Sequence, residues 1–216
     1  MKALRIPVAL VLLIGMLASC APVHERVGHG GGPLTFEERL RLANIYESRG
    51  RLTEALREYR KASELNPNDA RPYFGMGNVY LGTRDYANAE ASYLRAIELD
   101  PTKGAFFNNL GWVYIETGRL IIAQAMVMRG LTLDPRRQYI YLDTLGVIET
   151  RLGNYKEAER YFKRALSSIA PTDLYGLQKI YANLHELYRR TGRNEEAEKT
   201  IKTIRDLERG VPPAIR

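Results

Sequence analysis

The sequence predicts an all-α chain, an α-solenoid of about five stacked helix–turn–helix units. Three observations predict it. First, large, small and aromatic residues return every thirty-four positions: Leu42, Ala43, Tyr46 and Ala55 reappear as Met76, Gly77, Tyr80 and Ala89, then as Leu110, Gly111, Tyr114 and Ala123. A fixed period of this length marks stacked supersecondary units. Second, prolines punctuate the pattern at Pro67, Pro101 and Pro135, each lacking an N–H and disfavouring helix in the residue before it. Third, no stretch alternates apolar and polar residues as a half-buried strand does.

Taken in order, the chain opens with Lys2 and Arg5 ahead of an apolar run, Ile6 to Leu17, followed by Ala18, Ser19 and Cys20. A basic start, a short apolar stretch and small residues describe a secretory signal peptide over 1–19, too short and wrongly flanked for a stable span. Leu17-Ala18-Ser19-Cys20 resembles a bacterial lipobox. The resemblance implies cleavage before Cys20 and acylation of its thiol and new amine. An ordinary signal peptide with a chance cysteine, or a buried N-terminal helix, is the alternative. Cys20 is the sole cysteine, so no intramolecular disulfide and no cysteine-based zinc or redox site is expected. Two or more acyl chains suffice for lasting anchorage. Ala21 and Pro22 differ from the aspartate of an inner-membrane retention signal, which favours the outer membrane, facing the periplasm, in a host with two membranes.

Residues 20–34 form the tether. Gly28-His29-Gly30-Gly31-Gly32-Pro33 offers no apolar face, and a flexible link of this length reaches about 20 Å. His24 and His29 read as solvated polar residues, not metal ligands.

The solenoid spans 35–211, with units at 36–69, 70–103, 104–137, 139–172 and 178–211 and a short tail, 212–216. Each first helix places its aromatic, leucine, small residue and tyrosine on one face. The small residue (Ala43, Gly77, Gly111, Gly146) lets the second helix approach, and Ala55, Ala89, Ala123 and Ala158 serve from the other side. The fourth unit carries Glu149 where a tyrosine is expected. The fifth follows an extended connection, Ala170 to Gly176, puts His185 in the small slot and has no closing proline. A degenerate, charged last unit is what a water-facing cap looks like.

These residues resemble the tetratricopeptide repeat family over about four-fifths of the chain. The resemblance implies a right-handed superhelix of paired antiparallel helices, with a concave groove lined by the first helix of each pair, and a protein that binds other proteins.

The formal charge of +7 falls to +5 once Lys2 and Arg5 leave with the signal peptide. A basic excess steers acidic partners, but export argues against nucleic acid, and the basic residues are interspersed with acidic ones. Enzyme chemistry finds no support: there is no cysteine nucleophile beyond Cys20, no phosphate loop after a strand, and His185 sits in a packing slot. No cofactor or metal is expected. Tyr46, Tyr59, Tyr73, Tyr80, Tyr93 and Tyr114 read as core aromatics whose hydroxyls reach the edge.

The groove carries the remaining functional signal. First-helix positions left free by the core pattern include Phe74, Asn78, Asn108, Asn109, Trp112, Ile115 and Asp143, together with Leu81 and Val147. Asparagine is a poor helix former, so its recurrence at Asn44, Asn78, Asn108 and Asn109 calls for a reason. Amides match peptide C=O and N–H groups, and the sole tryptophan lies outside the core aromatic slot, which Phe107 fills. The other reading is that Trp112 packs between first helices and the asparagines satisfy local backbone. Asn78 and Asn109 resemble the asparagine pair of the family's carboxylate-clamp members, at matching positions in adjacent units. Phe74, Ile140 and Thr144 replace the clamp's basic residues, so an extended or helical segment is expected instead of a free C-terminus.

The whole describes a membrane-anchored scaffold that binds a protein partner of the cell envelope. Its architecture resembles the lipoproteins that assist type IV pilus secretin assembly. Adaptors for barrel assembly or cell-wall hydrolases share it, and a glycan or polysaccharide-export accessory and a homo-oligomer are the other classes.

Overall fold

The computed structural model describes residues 32–211; the expected signal peptide, Cys20, most of the expected tether and the tail lie outside the described residues. Within 34–211 every regular element is helical. Five pairs follow one another: α1 (Phe36–Ser48) with α2 (Leu52–Leu65), α3 (Ala70–Gly82) with α4 (Tyr86–Leu99), α5 (Gly104–Glu116) with α6 (Leu120–Leu133), α7 (Gln138–Leu152) with α8 (Tyr155–Ser168), and α9 (Leu174–Arg190) with α10 (Asn194–Glu208). No described helix is long and apolar enough to cross a membrane. Each helix packs on its pair-mate and on the next helix in the chain. Successive odd-numbered helices also touch, whereas successive even-numbered ones do not. The odd helices therefore line the tighter, inner face and the even helices the outer one.

Local chemistry sets the boundaries. Thr35 opens α1 with a capping box, its hydroxyl accepting from the Glu38 N–H while Glu38 accepts from the Thr35 N–H. The first helix of each pair ends in a repeated reverse turn: the N–H of Arg51, Asp85, Arg119, Asn154 and Arg193 reaches back to the C=O five residues earlier at 2.8–2.9 Å. Gly50, Gly118, Gly153 and Gly192 adopt φ of 70° to 82° there. The second pair uses Arg84 instead, at φ 61°. A side chain in the left-handed region costs about 1–2 kcal/mol, of which glycine's extra freedom when unfolded returns part. Arg84→Gly should therefore stabilise the protein by about 0.5–1 kcal/mol. A urea midpoint that fails to rise would refute this.

The small slots work by close approach. A Cβ on Gly77 would lie 2.6 Å from the Tyr93 ring, one on Gly111 2.6 Å from Val127 Cγ2, and one on Gly146 2.5 Å from the Phe162 ring. Ala55, Ala89, Ala123 and Ala158 are fully buried. Tyr59, Tyr93 and Tyr114 are buried, and Tyr46, Tyr73 and Tyr80 pack half-buried against the same clusters. Glu149 is explained by its partners: it is buried and accepts from Gln124 at 2.6 Å and Asn154 at 2.9 Å. In three other units the positions of Glu149 and Asn154 hold a tyrosine with an arginine over its ring, Tyr46–Arg51, Tyr114–Arg119 and Tyr188–Arg193.

The last pair departs from expectation at its start. The connection is not extended through Gly176, because the Asp173 carboxylate accepts from the Gly176 N–H at 2.9 Å and caps a helix beginning at Leu174. His185 is a packing residue, its Nδ1 lying 3.0 Å from the Ala197 carbonyl oxygen. Glu159 of α8 ties this pair to the stack, accepting from Arg193 at 2.5 Å, Lys163 at 2.8 Å and the Tyr188 hydroxyl at 3.1 Å. The Arg193 guanidinium, above all, holds the Glu159 carboxyl down to about 2. A lowered acid pKa contributes stability present above the ordinary value and lost as pH falls. Between about pH 4.5 and 2, α9 and α10 should thus lose about 1–2 kcal/mol of protection after solvent screening. Hydrogen exchange across that window should show the loss in wild type and a flatter profile in Glu159→Gln.

Candidate functional site

The inner face begins with a cleft of about 300 Å³ between α1 and α3, lined among others by Arg41, Asn44, Glu47, Phe74 and Asn78. Its floor is the Tyr59 ring, which slides under Gly75; a Cβ there would sit 2.3 Å from the ring. The Tyr59 oxygen lies 2.5 Å from Glu47 Oε2 and 2.6 Å from Asn44 Oδ1. One hydroxyl proton cannot serve both. The carboxylate is the stronger acceptor, so the Asn44 amide is better turned to donate to the tyrosine oxygen. Burial, followed by Glu47, raises the Tyr59 hydroxyl well above its ordinary pKa and keeps it protonated. At the rim Arg71 bridges Glu37 at 2.7 Å and Asp69 at 2.8 Å.

The next stretch is an amide chain. Asn78 Oδ1 accepts from the Tyr93 hydroxyl at 2.8 Å and from Asn109 Nδ2 at 2.9 Å, and Asn109 Oδ1 accepts from Asn108 Nδ2 at 3.4 Å. This explains much of the recurrence of asparagine. Asn44 and Asn78 stand one period apart, as do Tyr59 and Tyr93, and each amide meets the hydroxyl fifteen residues on. Where the hydroxyl is missing, so is the amide: Val127 faces the unit of Trp112, and Phe162 that of Val147. Asn78 and Asn109 are thus bonded neighbours, not equivalent positions of adjacent units; the periodic counterpart of Asn78 is Trp112. The Asn78 amide nitrogen remains open to the face. Phe74 is half-buried, its ring 4.7 Å from Phe106 and 5.8 Å from Tyr93.

Three residues expected on the groove surface are buried instead. Ile115 is fully buried, because α7 covers that side of α5. Asn108 is 5% exposed, with an Oδ1 that has no hydrogen-bond partner. Asp143 is 2% exposed, accepting from Asn183 at 2.7 Å and pairing with Lys179 at 3.3 Å. Burial pushes its carboxyl above the ordinary range, against the pull of Lys179. Trp112 is half-buried against the central core cluster, with the half-exposed Lys179 ammonium 5.4 Å from its ring. Leu81 and Val147 are half-buried and pack against core clusters.

The face that remains runs from Arg41 and Asn44 through Phe74, Asn78 and Asn109 to Trp112 and Lys179. Sequence reasoning passed over Arg41, Glu47 and Arg71. Arg41 stands one period before Gly75, a large charged residue opposite a missing side chain, which was the available signal.

Profiles described as TPR repeat and tetratricopeptide repeat match residues 43–83, 70–103, 92–125, 141–169 and 180–210. No curated protein matches. Solved structures similar in fold include TTC0263, a thermophilic TPR protein of Thermus thermophilus, at 21% identity and TM-score 0.69, covering 79% of this chain and 90% of that one. PilF of Pseudomonas aeruginosa is similar at 18% identity and TM-score 0.66, covering 79% and 75%. PilW, described as a widely conserved type IV pilus biogenesis factor, is similar at 19% identity and TM-score 0.73, covering 82% and 80%.

Proposed function

Since this chain is a stack of tetratricopeptide repeats, we propose that it is a docking scaffold that holds an extended or helical protein segment along its inner face, tethered to the periplasmic side of the outer membrane through acylated Cys20. The carrying observation is the strip of half-buried aromatics, Phe74 and Trp112, joined by amides whose remaining donors are open. Aromatic anchors beside adaptable polar groups are the composition of a peptide groove. A partner in a cell-envelope machine, such as a type IV pilus secretin, is the specific reading. It draws support from the lipobox-like start and from the fold shared with PilF and PilW, at an identity that speaks for fold alone.

Crosslinking and pull-down of the native protein from membranes should recover the partner, and binding is then measured against it. Trp112→Ala should weaken it about thirtyfold, the loss of a buried aromatic anchor, while Arg95→Ala on the outer face leaves it near wild type. If Trp112→Ala lowers stability by several kcal/mol and its folded fraction binds normally, Trp112 is a packing residue and the groove loses its anchor. Separately, Cys20→Ala should abolish acylation and weaken membrane retention. An unmodified Cys20 thiol in the mature protein would end the anchored reading.

A further inference from the structure

The outer face carries a feature that a peptide groove does not use. On α6, Ile121 is 67% exposed, Ile122 46% and Met128 51%. With exposed Ala125 and Arg129 they fall at i, i+1, i+4, i+7 and i+8, one side of a helix. No carboxylate occurs from Thr117 to Leu133, whereas α2, α4, α8 and α10 each contain at least two. Arg129 makes no ion pair with a described residue.

The units stack in register, so equivalent positions of the even helices share the outer face. On one side α4 continues the apolar centre with exposed Ala91 and Leu94, the latter one period before Met128. Beyond α4, and on the far side of α6, those positions turn basic. α2 presents exposed Arg57 and Arg60, and α8 presents exposed Lys156, Arg160, Lys163 and Arg164. Arg57 and Lys163 reach back to the shielded carboxylates of Glu58 and Glu159 while their own side chains stay exposed, and Arg160 pairs at the surface with Glu157, a kind of pair that is weak and exchanges readily. The outer face thus reads basic, apolar, basic.

We propose that this face docks on an anionic lipid bilayer, with Ile121, Ile122 and Met128 entering the headgroup–acyl boundary and the arginines and lysines of α2, α6 and α8 meeting lipid phosphates. An apolar ridge on a helix with a basic polar surround is the composition of an interfacial helix. Composition favours lipid over a protein partner: the cores of protein interfaces are enriched in aromatics, and α6 holds none, its exposed ridge being only aliphatic side chains and Met beside arginine. Charge decides against a second copy, which would bring Arg129 and the basic flanks against themselves. The inference takes from the anchored reading only the nearness of the bilayer, which lets a weak patch act at high effective concentration.

The test uses the full chain with Cys20→Ala, so that acylation plays no part and no second thiol competes, carrying an environment-sensitive fluorophore on Met128→Cys or, as a control, on Lys202→Cys in α10. Phosphatidylcholine–phosphatidylglycerol vesicles should shift the position-128 emission to the blue and raise it severalfold at low salt. Phosphatidylcholine vesicles should do much less, and position 202 should not respond. Ile121→Glu with Ile122→Glu, both exposed and so compatible with unchanged helical content, should abolish the response. Equal responses at 128 and 202, or a response that survives the two glutamates, overturn the proposal. So does a vesicle-independent response that grows with protein concentration and doubles the scattering mass, which assigns the face to a second copy. A response to an acidic amphipathic peptide but not to vesicles overturns it in favour of a protein partner. Failure of the anchor shows in the acylation state of Cys20, which the vesicle response does not read, so the two readings fail separately.

Discussion

Gly111→Leu should destabilise the protein by about 1–3 kcal/mol and do so at the centre of the stack. The first atom added, Cβ, would stand 2.6 Å from Val127 Cγ2 and 3.5 Å from the Ala123 carbonyl oxygen. Val127 and Ala123 are fully buried. The valine cannot swing out of the way, and the backbone carbonyl closes the other side, so α5 and α6 must separate. Each pair rests only on its neighbours, so a loosened third pair divides the array. Chemical denaturation should show a lower midpoint and a broader transition. Adding Val127→Ala to Gly111→Leu removes the clashing methyls, and the two changes should couple by at least about 0.5 kcal/mol, as contacting residues do. Strictly additive losses would mean that the glycine is not there for close approach to Val127.

Phe162→Ala should cost more, about 3–5 kcal/mol, through the void left by a buried ring. Phe162 is 1% exposed and packs in the cluster that joins α7 and α8 to α9 and α10 through Leu142, Leu177 and Leu184. Its ring lies against Gly146, where a Cβ would come within 2.5 Å of it. A glycine has no side chain with which to fill the space. The damage should be local: native-state hydrogen exchange should quicken in the last two pairs and change little in α1 to α4, because stability is passed between neighbours. A uniform increase across all ten helices would contradict a nearest-neighbour stack.

The periodic part of this protein was legible because the physics that makes it is itself periodic. Gly77, Gly111 and Gly146 take Tyr93, Val127 and Phe162 of their own units against them, and each unit repeats the same short-range problem of bringing two helices together. The pairing of Asn44 with Tyr59 and Asn78 with Tyr93 was present in the sequence in the same way, fifteen residues apart in both units, with Trp112 and Val127 as the paired exception. Free positions on first helices were legible too, but not what those positions face.

By itself the sequence determined a helical repeat stack, its small-residue contacts and its central tryptophan, all consequences of local spacing. Tertiary structure alone decided which free positions stay free. Asp143 is buried because Asn183, forty residues on, and Lys179 arrive from α9 to hold it. Ile115 is buried because α7 leans on α5. The cleft lies between the first two units because Tyr59 passes beneath Gly75 instead of filling the face above it. Each of these depends on how one unit tilts against the next. That tilt is the sum of many side-chain contacts between units, and a spacing rule within one unit does not contain it.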